Sequence, residues 1–236
     1  MQSAIPSIKG ISSMATRQVL AELVAGFQQQ SACAVTMEAV GGVDAAKRVQ
    51  AGEAFDVVVL ASDAIDKLIA AGHLQAGSKV DLVRSGVAAC VRAGAALPDI
   101  GSEDAVKRAV MAADSISYST GPSGVALARL FERWGIATDI QGRMVQAPPG
   151  VPVGALVARG EVELGFQQLS ELLHVEGITV VGPLPPAIQI ITTFSAGVHA
   201  SVAAGSQQAE RVHAMLDYMR SPQAAEAKQR QGMEPA

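Results

Sequence analysis

Apolar and polar positions along the chain switch between two spacings, and each switch marks an element. Residues 5–11 are a short apolar run that reads as a strand, closed by Ser12 and Ser13. Over residues 14–29, Val19, Leu20, Leu23, Val24 and Phe27 recur at helical spacing, with a serine in front to cap the helix. A second strand follows over residues 34–37, and Gly41-Gly42 turns the chain into a helix over 43–50. The continuous apolar run at residues 56–60 is the pattern of a strand covered on both faces. Ser62 and Asp63 then open a helix that carries Ile65, Leu68 and Ile69. Strands and helices in strict alternation predict a parallel sheet with helices packed over it.

The pattern then restarts. A long strand is predicted over residues 81–92, interrupted at Ser85-Gly86. Helices are predicted over residues 102–112 and 123–134, and strands over 115–119 and 143–146. Pro152 suits the first turn of a short helix that Gly160 stops, because its missing N–H costs nothing there. Val162, Leu164 and Phe166 alternate as a strand, with Gln167 and Gln168 at its polar end. After a strand over residues 178–181 and a proline-marked break, a second long strand spans 188–200. Two amphipathic helices, 207–219 and 222–231, close the chain. Two long strands bracketing a middle block predict two α/β lobes. The first holds residues 1–82, the second 83–190, and residues 191–236 return to the first. Two crossings of this kind allow hinge closure around a ligand.

Composition narrows the function classes. A net charge of −4 argues against a nucleic-acid footprint. No apolar run approaches the roughly 18 residues of a membrane span. The first residues lack the apolar stretch of a signal peptide, so the protein is expected in the cytoplasm, or in the periplasm if a signal has been removed. Cys33 and Cys90 lie in apolar runs and read as buried free thiols, with a disulfide as the alternative. The four histidines are scattered, so neither a metal site nor a cofactor is expected. Rossmann, Walker and Gly-x-Ser-x-Gly spacings are all missing.

Several stretches together carry a family resemblance. They are Ser12-Ser13, Gly41-Gly42, residues 56–63, Ser117-Tyr-Ser-Thr-Gly-Pro-Ser-Gly124, residues 156–166 and Ser221-Pro-Gln-Ala-Ala225. The chain resembles, over nearly its whole length, the type-2 periplasmic solute-binding proteins, in the branch that includes the molybdate-binding proteins of ABC transporters. This implies a two-lobed α/β fold, each lobe a mixed, mostly parallel sheet flanked by helices, with the ligand cleft between lobes. It also implies an anion site built from helix N-termini, where backbone N–H groups and the helix dipole favour negative charge. Mapped on this chain, the ligand-binding set is Ser12, Ser13, Gly42, Ala61, Arg84, Thr120, Gly121, Ser123, Gly150, Val151, Gln167 and Gln168. The branch is also similar to aconitate isomerase, a proton-shifting enzyme on the same fold.

Each of these residues also has a plainer reading. The serines cap helix one; residues 120–124 and 150–151 are ordinary turns; the glutamines end a strand in solvent; Arg84 makes a surface or inter-lobe ion pair. Lys9 and Arg17 read as solvated. Where molybdate binders tend to carry a serine-rich loop and a tyrosine, this chain has Val40-Gly-Gly-Val43 and Gln168. Arg84, as a guanidinium, suits a carboxylate. The expected function is therefore binding of a small anion, a di- or tricarboxylate, by a monomer that closes on it and docks on an ABC permease. Molybdate or tungstate binding is the oxyanion alternative. The enzymatic alternative is an aconitate-isomerase-like proton shift, for which Glu38, Tyr118 and Glu171 are the candidate bases.

Overall fold

The computed structural model describes residues 7–236, so residues 5 and 6 of the first expected strand lie outside the described residues. The chain runs β1 (Ser7–Ser13), α1 (Arg17–Gln30), β2 (Ala34–Val40), α2 (Gly42–Gln50), β3 (Val57–Ala61), α3 (Ser62–Ala70) and β4 (Val80–Arg92). It continues with α4 (Glu103–Ala112), β5 (Ile116–Tyr118), α5 (Pro122–Arg133), α6 (Ala137–Ile140), β6 (Met144–Gln146), α7 (Val153–Ala158), β7 (Leu164–Gln168) and α8 (Leu169–Leu172). The last elements are β8 (Ile178–Pro183), β9 (Ile191–Val198), α9 (Gln207–Arg220), α10 (Ala225–Arg230) and β10 (Glu234–Pro235). These elements form two compact units. One holds the chain up to Arg84 together with Thr193–Ala236, and the other is Ser85–Thr192.

In the first unit the strand order is β2-β1-β3-β9-β4, with β10 added on β4. β1 pairs in parallel with β2 and β3, and β9 runs antiparallel to β3. The alternation of side chains in β3 explains its unbroken apolar sequence. Val57, Val59 and Ala61 pack with α1 and α9, while Val58 and Leu60 pack with Ile65, Leu68 and Val49 of α2 and α3. Lys228 of α10 is buried and donates its ammonium to the Leu82 carbonyl at 2.8 Å. Burial pulls its pKa down, because the charged form is the one that loses solvation.

In the second unit β7 lies between β4 and β5, β6 flanks β5, and β8 also pairs with β4. β5 is parallel to both β6 and β7. Ile116, Leu164 and Phe166 face Phe131 and Leu127 of α5. On the other face, Ala88 and Cys90 of β4 meet Val153, Leu156 and Val157 of α7. Gly165 is the contact point there, since a Cβ would stand 2.7–2.9 Å from Val157, Val153 and Cys90. Cys33 and Cys90 are both free and buried, and burial pushes the Cys90 thiol up to about 12.

Three local expectations are corrected. The first helix begins with a 3-10 turn, Met14–Thr16, and Ser13 makes no side-chain cap; instead the Thr16 hydroxyl donates to the Ser13 carbonyl at 3.0 Å. β4 runs straight through Ser85-Gly86, because Val87 N–H is held by the Ile190 carbonyl at 3.1 Å and by Gln189 Oε1 at 2.9 Å. Pro152 stands one place earlier than expected, as the residue before α7. As expected, β7 ends on the two glutamines; Gln168 is also the residue before the short helix α8, which buries Ser170 and Leu172.

Gly124, in the first turn of α5, packs so closely on the preceding loop that a Cβ would lie 1.8 Å from the Ser119 carbonyl oxygen. Gly124→Ala is therefore expected to destabilise the protein by about 1–3 kcal/mol, the usual cost of overpacking. Urea unfolding measures it; an unchanged midpoint and slope would show that α5 can shift away from Ser119 freely.

Candidate functional site

Register puts the helix starts of the first unit at one edge. Ser13 pairs with Val40 and Ser12 with Val59, so β1, β2 and β3 end at the same level. The helices that follow therefore begin side by side at the carboxyl edge of the parallel strands, the usual ligand edge of an α/β sheet. Ser13 and Gly42 are neighbours, since a Cβ on Gly42 would be 3.5 Å from Cβ of Ser13. The first turn of α2 is capped only by the backbone of Gly41, and α3 follows Ala61 without a side-chain cap. First-turn N–H groups have no acceptor inside their own helix, so these ends keep donors to offer. Ser12 is less available: its buried hydroxyl donates to the Glu38 carbonyl at 3.3 Å.

The second unit repeats the arrangement. Tyr118 pairs with Gln146 and with Phe166, and Ala147 N–H donates to the Tyr118 carbonyl at 2.9 Å. The loops after β5, β6 and β7 thus share one edge. Gly121 precedes α5, Pro122 is its first residue, and no side chain caps the helix. Its first turn holds no acidic residue, unlike that of α2 with Asp44 or α3 with Asp63. A carboxylate in the first turn competes with an external anion for the dipole, so α5 is more receptive than α2 or α3. Ser123 lies buried in this turn with its hydroxyl 3.4 Å from that of Ser119, and Thr120 is half-buried in the loop before it.

The loop after β6 is a turn that spends two of its donors within the protein. Gly150 has φ +77°, a left-handed value that favours glycine, and Val151 N–H donates back to the Pro148 carbonyl at 3.0 Å. The next free N–H, that of Val153, is taken by Gln167 Oε1 at 2.8 Å. Gly150 and Val151 are thus placed at the edge, but Val151 has no N–H left for a ligand while this turn stands.

The two glutamines divide their roles by strand alternation. Gln167 faces α7, caps it at Val153, and hydrogen-bonds the Glu171 carboxylate. Gln168 faces the other way, and its amide NH2 donates to Thr192 Oγ1 at 2.7 Å. Both side chains are buried, and Gln168 Oε1 has no hydrogen-bond partner among the described residues.

The charged candidates separate as clearly. Arg84 is half exposed and meets Glu234 of β10 at 3.4 Å, so the structure gives it the surface ion pair rather than a free guanidinium. Lys9 is exposed and stands 4.7 Å over the Phe55 ring, 3.7 Å from Glu53. Glu38 is gripped by Arg48, with Nη2 2.9 Å from Oε2, and these hydrogen bonds hold its carboxyl below the ordinary range. That makes it a weak base. Glu171 is the opposite case: desolvation pushes its carboxyl up to about 7, against the lowering effect of the Gln167 hydrogen bond. Sequence reasoning could list Glu171 but not rank it, because the enclosure that shifts it depends on α8, which the pattern did not show. Thr192 was missed altogether, since a threonine in a strand gives no signal of its own.

Comparisons with known proteins agree with this architecture. The model for bacterial extracellular solute-binding proteins matches residues 8–234. An aconitate isomerase from a Pseudomonas species is 42% identical over 191 residues, which are 80% of this chain and 70% of that protein. The periplasmic molybdate-binding protein of Azotobacter vinelandii superposes with a TM-score of 0.76 at 20% identity, covering 96% of this chain and 98% of that one. The tungstate-binding protein of Desulfovibrio alaskensis gives 0.69 at 14% identity, covering 98% and 99%. At such identities the two structures show a shared fold, that of periplasmic binding proteins, and the match over nearly all of the sequence shows the kinship: the chain belongs to the bacterial extracellular solute-binding proteins.

Proposed function

We propose that this protein binds a small organic anion carrying two or three carboxylates. The observation that carries the reading is the 42% identity, over four-fifths of the chain, to a protein named for its action on aconitate, a tricarboxylate. The local chemistry supports it. The starts of α2, α3 and α5 offer backbone donors, and Ser13, Thr120 and Ser123 add hydroxyls beside them. Gln168 supplies an amide at the end of β7 whose NH2 can donate to a carboxylate. Arg84 remains a candidate for one carboxylate, because an exposed pair such as that with Glu234 is worth only about 0–1 kcal/mol and is readily exchanged. The proposal includes the lobe closure expected from the sequence, with an ABC permease as the partner of the closed form.

A second reading, an isomerase that moves a proton on an unsaturated tricarboxylate, is favoured by Glu171. A carboxyl near neutrality is suited to take a proton from the allylic carbon and return it to the far end of the shifted double bond. No charged side chain contributes to its shift, which comes from desolvation opposed by Gln167 alone.

A thermal-shift screen with citrate, cis- and trans-aconitate, molybdate, tungstate and sulfate tests the first reading. A tricarboxylate at about 100 times its dissociation constant should add about 2.7 kcal/mol of stability. Stabilisation by molybdate or tungstate alone would replace the carboxylate with an oxyanion.

Interconversion of the aconitates, followed by absorbance of the conjugated double bond, tests the second reading. Activity should rise as pH passes about 7, where Glu171 ionises. Glu171→Gln should lower it by about 10²–10⁴-fold. Stability runs the other way. The folded protein holds the Glu171 proton above the ordinary 4.5, so stability falls as pH rises from there to about 7. Glu171→Gln should remove that fall. A variant with unaltered pH profiles for both activity and stability would eliminate Glu171 as the titrating group.

A further inference from the structure

Gln168 and Thr192 form a buried pair with one group left over. Gln168 is the last residue of β7, paired in register with Val87, and Thr192 is the second residue of β9. Gln168 is 3% exposed and Thr192 9%, and the amide NH2 donates to the hydroxyl at 2.7 Å. The amide oxygen is buried with no partner among the described residues. Leaving such an acceptor unpaired costs stability, so its retention at the carboxyl end of a strand calls for a reason.

Hydroxyl chemistry supplies one. A threonine hydroxyl both donates and accepts, and an amide has one acceptor end and one donor end. Half a turn about the last side-chain bond of Gln168 keeps the Thr192 bond with its direction reversed. The hydroxyl then donates to Oε1, and both amide hydrogens are released. A valine in place of Thr192 would hold neither orientation; a lysine or arginine in place of Gln168 could not reverse.

We propose that Thr192 is a positioning residue for Gln168, and that on ligand binding the amide turns so that its NH2 donates to a ligand carboxylate while Thr192 donates to Oε1. The inference rests on the carboxylate reading above. It adds that the acceptor left without a partner in the described arrangement gains one in the bound state. It also identifies Thr192, which need not touch the ligand, as a determinant of affinity.

The test is a titration of the whole protein with trans-aconitate, and separately with molybdate, in wild type, Thr192→Val, Thr192→Ser, Gln168→Met and the Thr192→Val/Gln168→Met double variant. Calorimetry gives affinity. Side-chain amide signals in a nitrogen-15 spectrum, with Gln168 assigned by its loss in Gln168→Met, report the turn. Thr192→Val should weaken trans-aconitate about tenfold, close to 1.4 kcal/mol, whereas Thr192→Ser should stay close to wild type. In the Gln168→Met background Thr192→Val should have no further effect, and the wild-type Gln168 NH2 signal should move on saturation. Equal affinities in Thr192→Val and wild type, or a Thr192→Val loss that persists in the Gln168→Met background, would overturn the proposal. Should Thr192→Val fail to fold, an unmoved Gln168 signal in saturated wild type would overturn it alone. If trans-aconitate does not bind but molybdate does, the carboxylate reading falls. The pair then stands or falls on whether the Gln168 signal and the Thr192→Val affinity respond to molybdate. Binding of neither anion overturns both.

Discussion

Level register of parallel strands is the constraint on which the rest of this molecule depends. β1, β2 and β3 end together in one unit, and β5, β6 and β7 end together in the other. A parallel strand must be followed by a crossover, and here each crossover carries a helix that starts at the strand's end or one loop beyond it. Level ends therefore bring helix starts together, with their unpaired N–H groups pointing the same way. Donors are gathered by topology, without a single lysine. A chain of net charge −4 can assemble an anion-directed edge in this way, because the favourable field is local to each helix end.

What tunes that edge is how many of its donors the chain consumes itself. The turn at Gly150 takes back the Val151 N–H, and Gln167 takes that of Val153. α2 and α3 each carry an aspartate in the first turn, and α5 carries none. The helix ends are thus unequal, although a reading from strand and helix order treats them alike. The same accounting separates the adjacent glutamines. One is fully engaged in holding α7 and Glu171, and the other is held at one end only.

The fold was largely legible in the sequence, and the reasons are physical. The apolar run of β3, the helical spacing of Val19, Leu20, Leu23, Val24 and Phe27, and the alternation at Leu164 and Phe166 each reflect burial that the structure shows. Local periodicity reports burial directly. The candidate site was legible only in outline. Ser13, Gly42, Ala61, Gly121 and Ser123 could be placed at strand ends from order alone. The pairing of Arg84 with Glu234, the grip of Arg48 on Glu38 and the bond from Gln168 to Thr192 join residues far apart in sequence, and no spacing rule encodes them. Helix α8 was hidden for another reason. Four residues are too few to show a period, and α8 follows directly on the last strand residue, Gln168, with no turn residue between to announce it.

The close contact of Gly124 with the Ser119 carbonyl bears on how this scaffold could diversify. At Gly124 the loop and the first turn of α5 meet backbone to backbone, beside the contact between the Ser119 and Ser123 hydroxyls, and at that position there is no side chain to trim. Such a joint cannot be loosened by degrees. A lineage, or a designer, building a ligand site on this edge would work through the side chains that hang from it. Gln168, buried at the end of β7 and held at one end of its amide, is one such side chain.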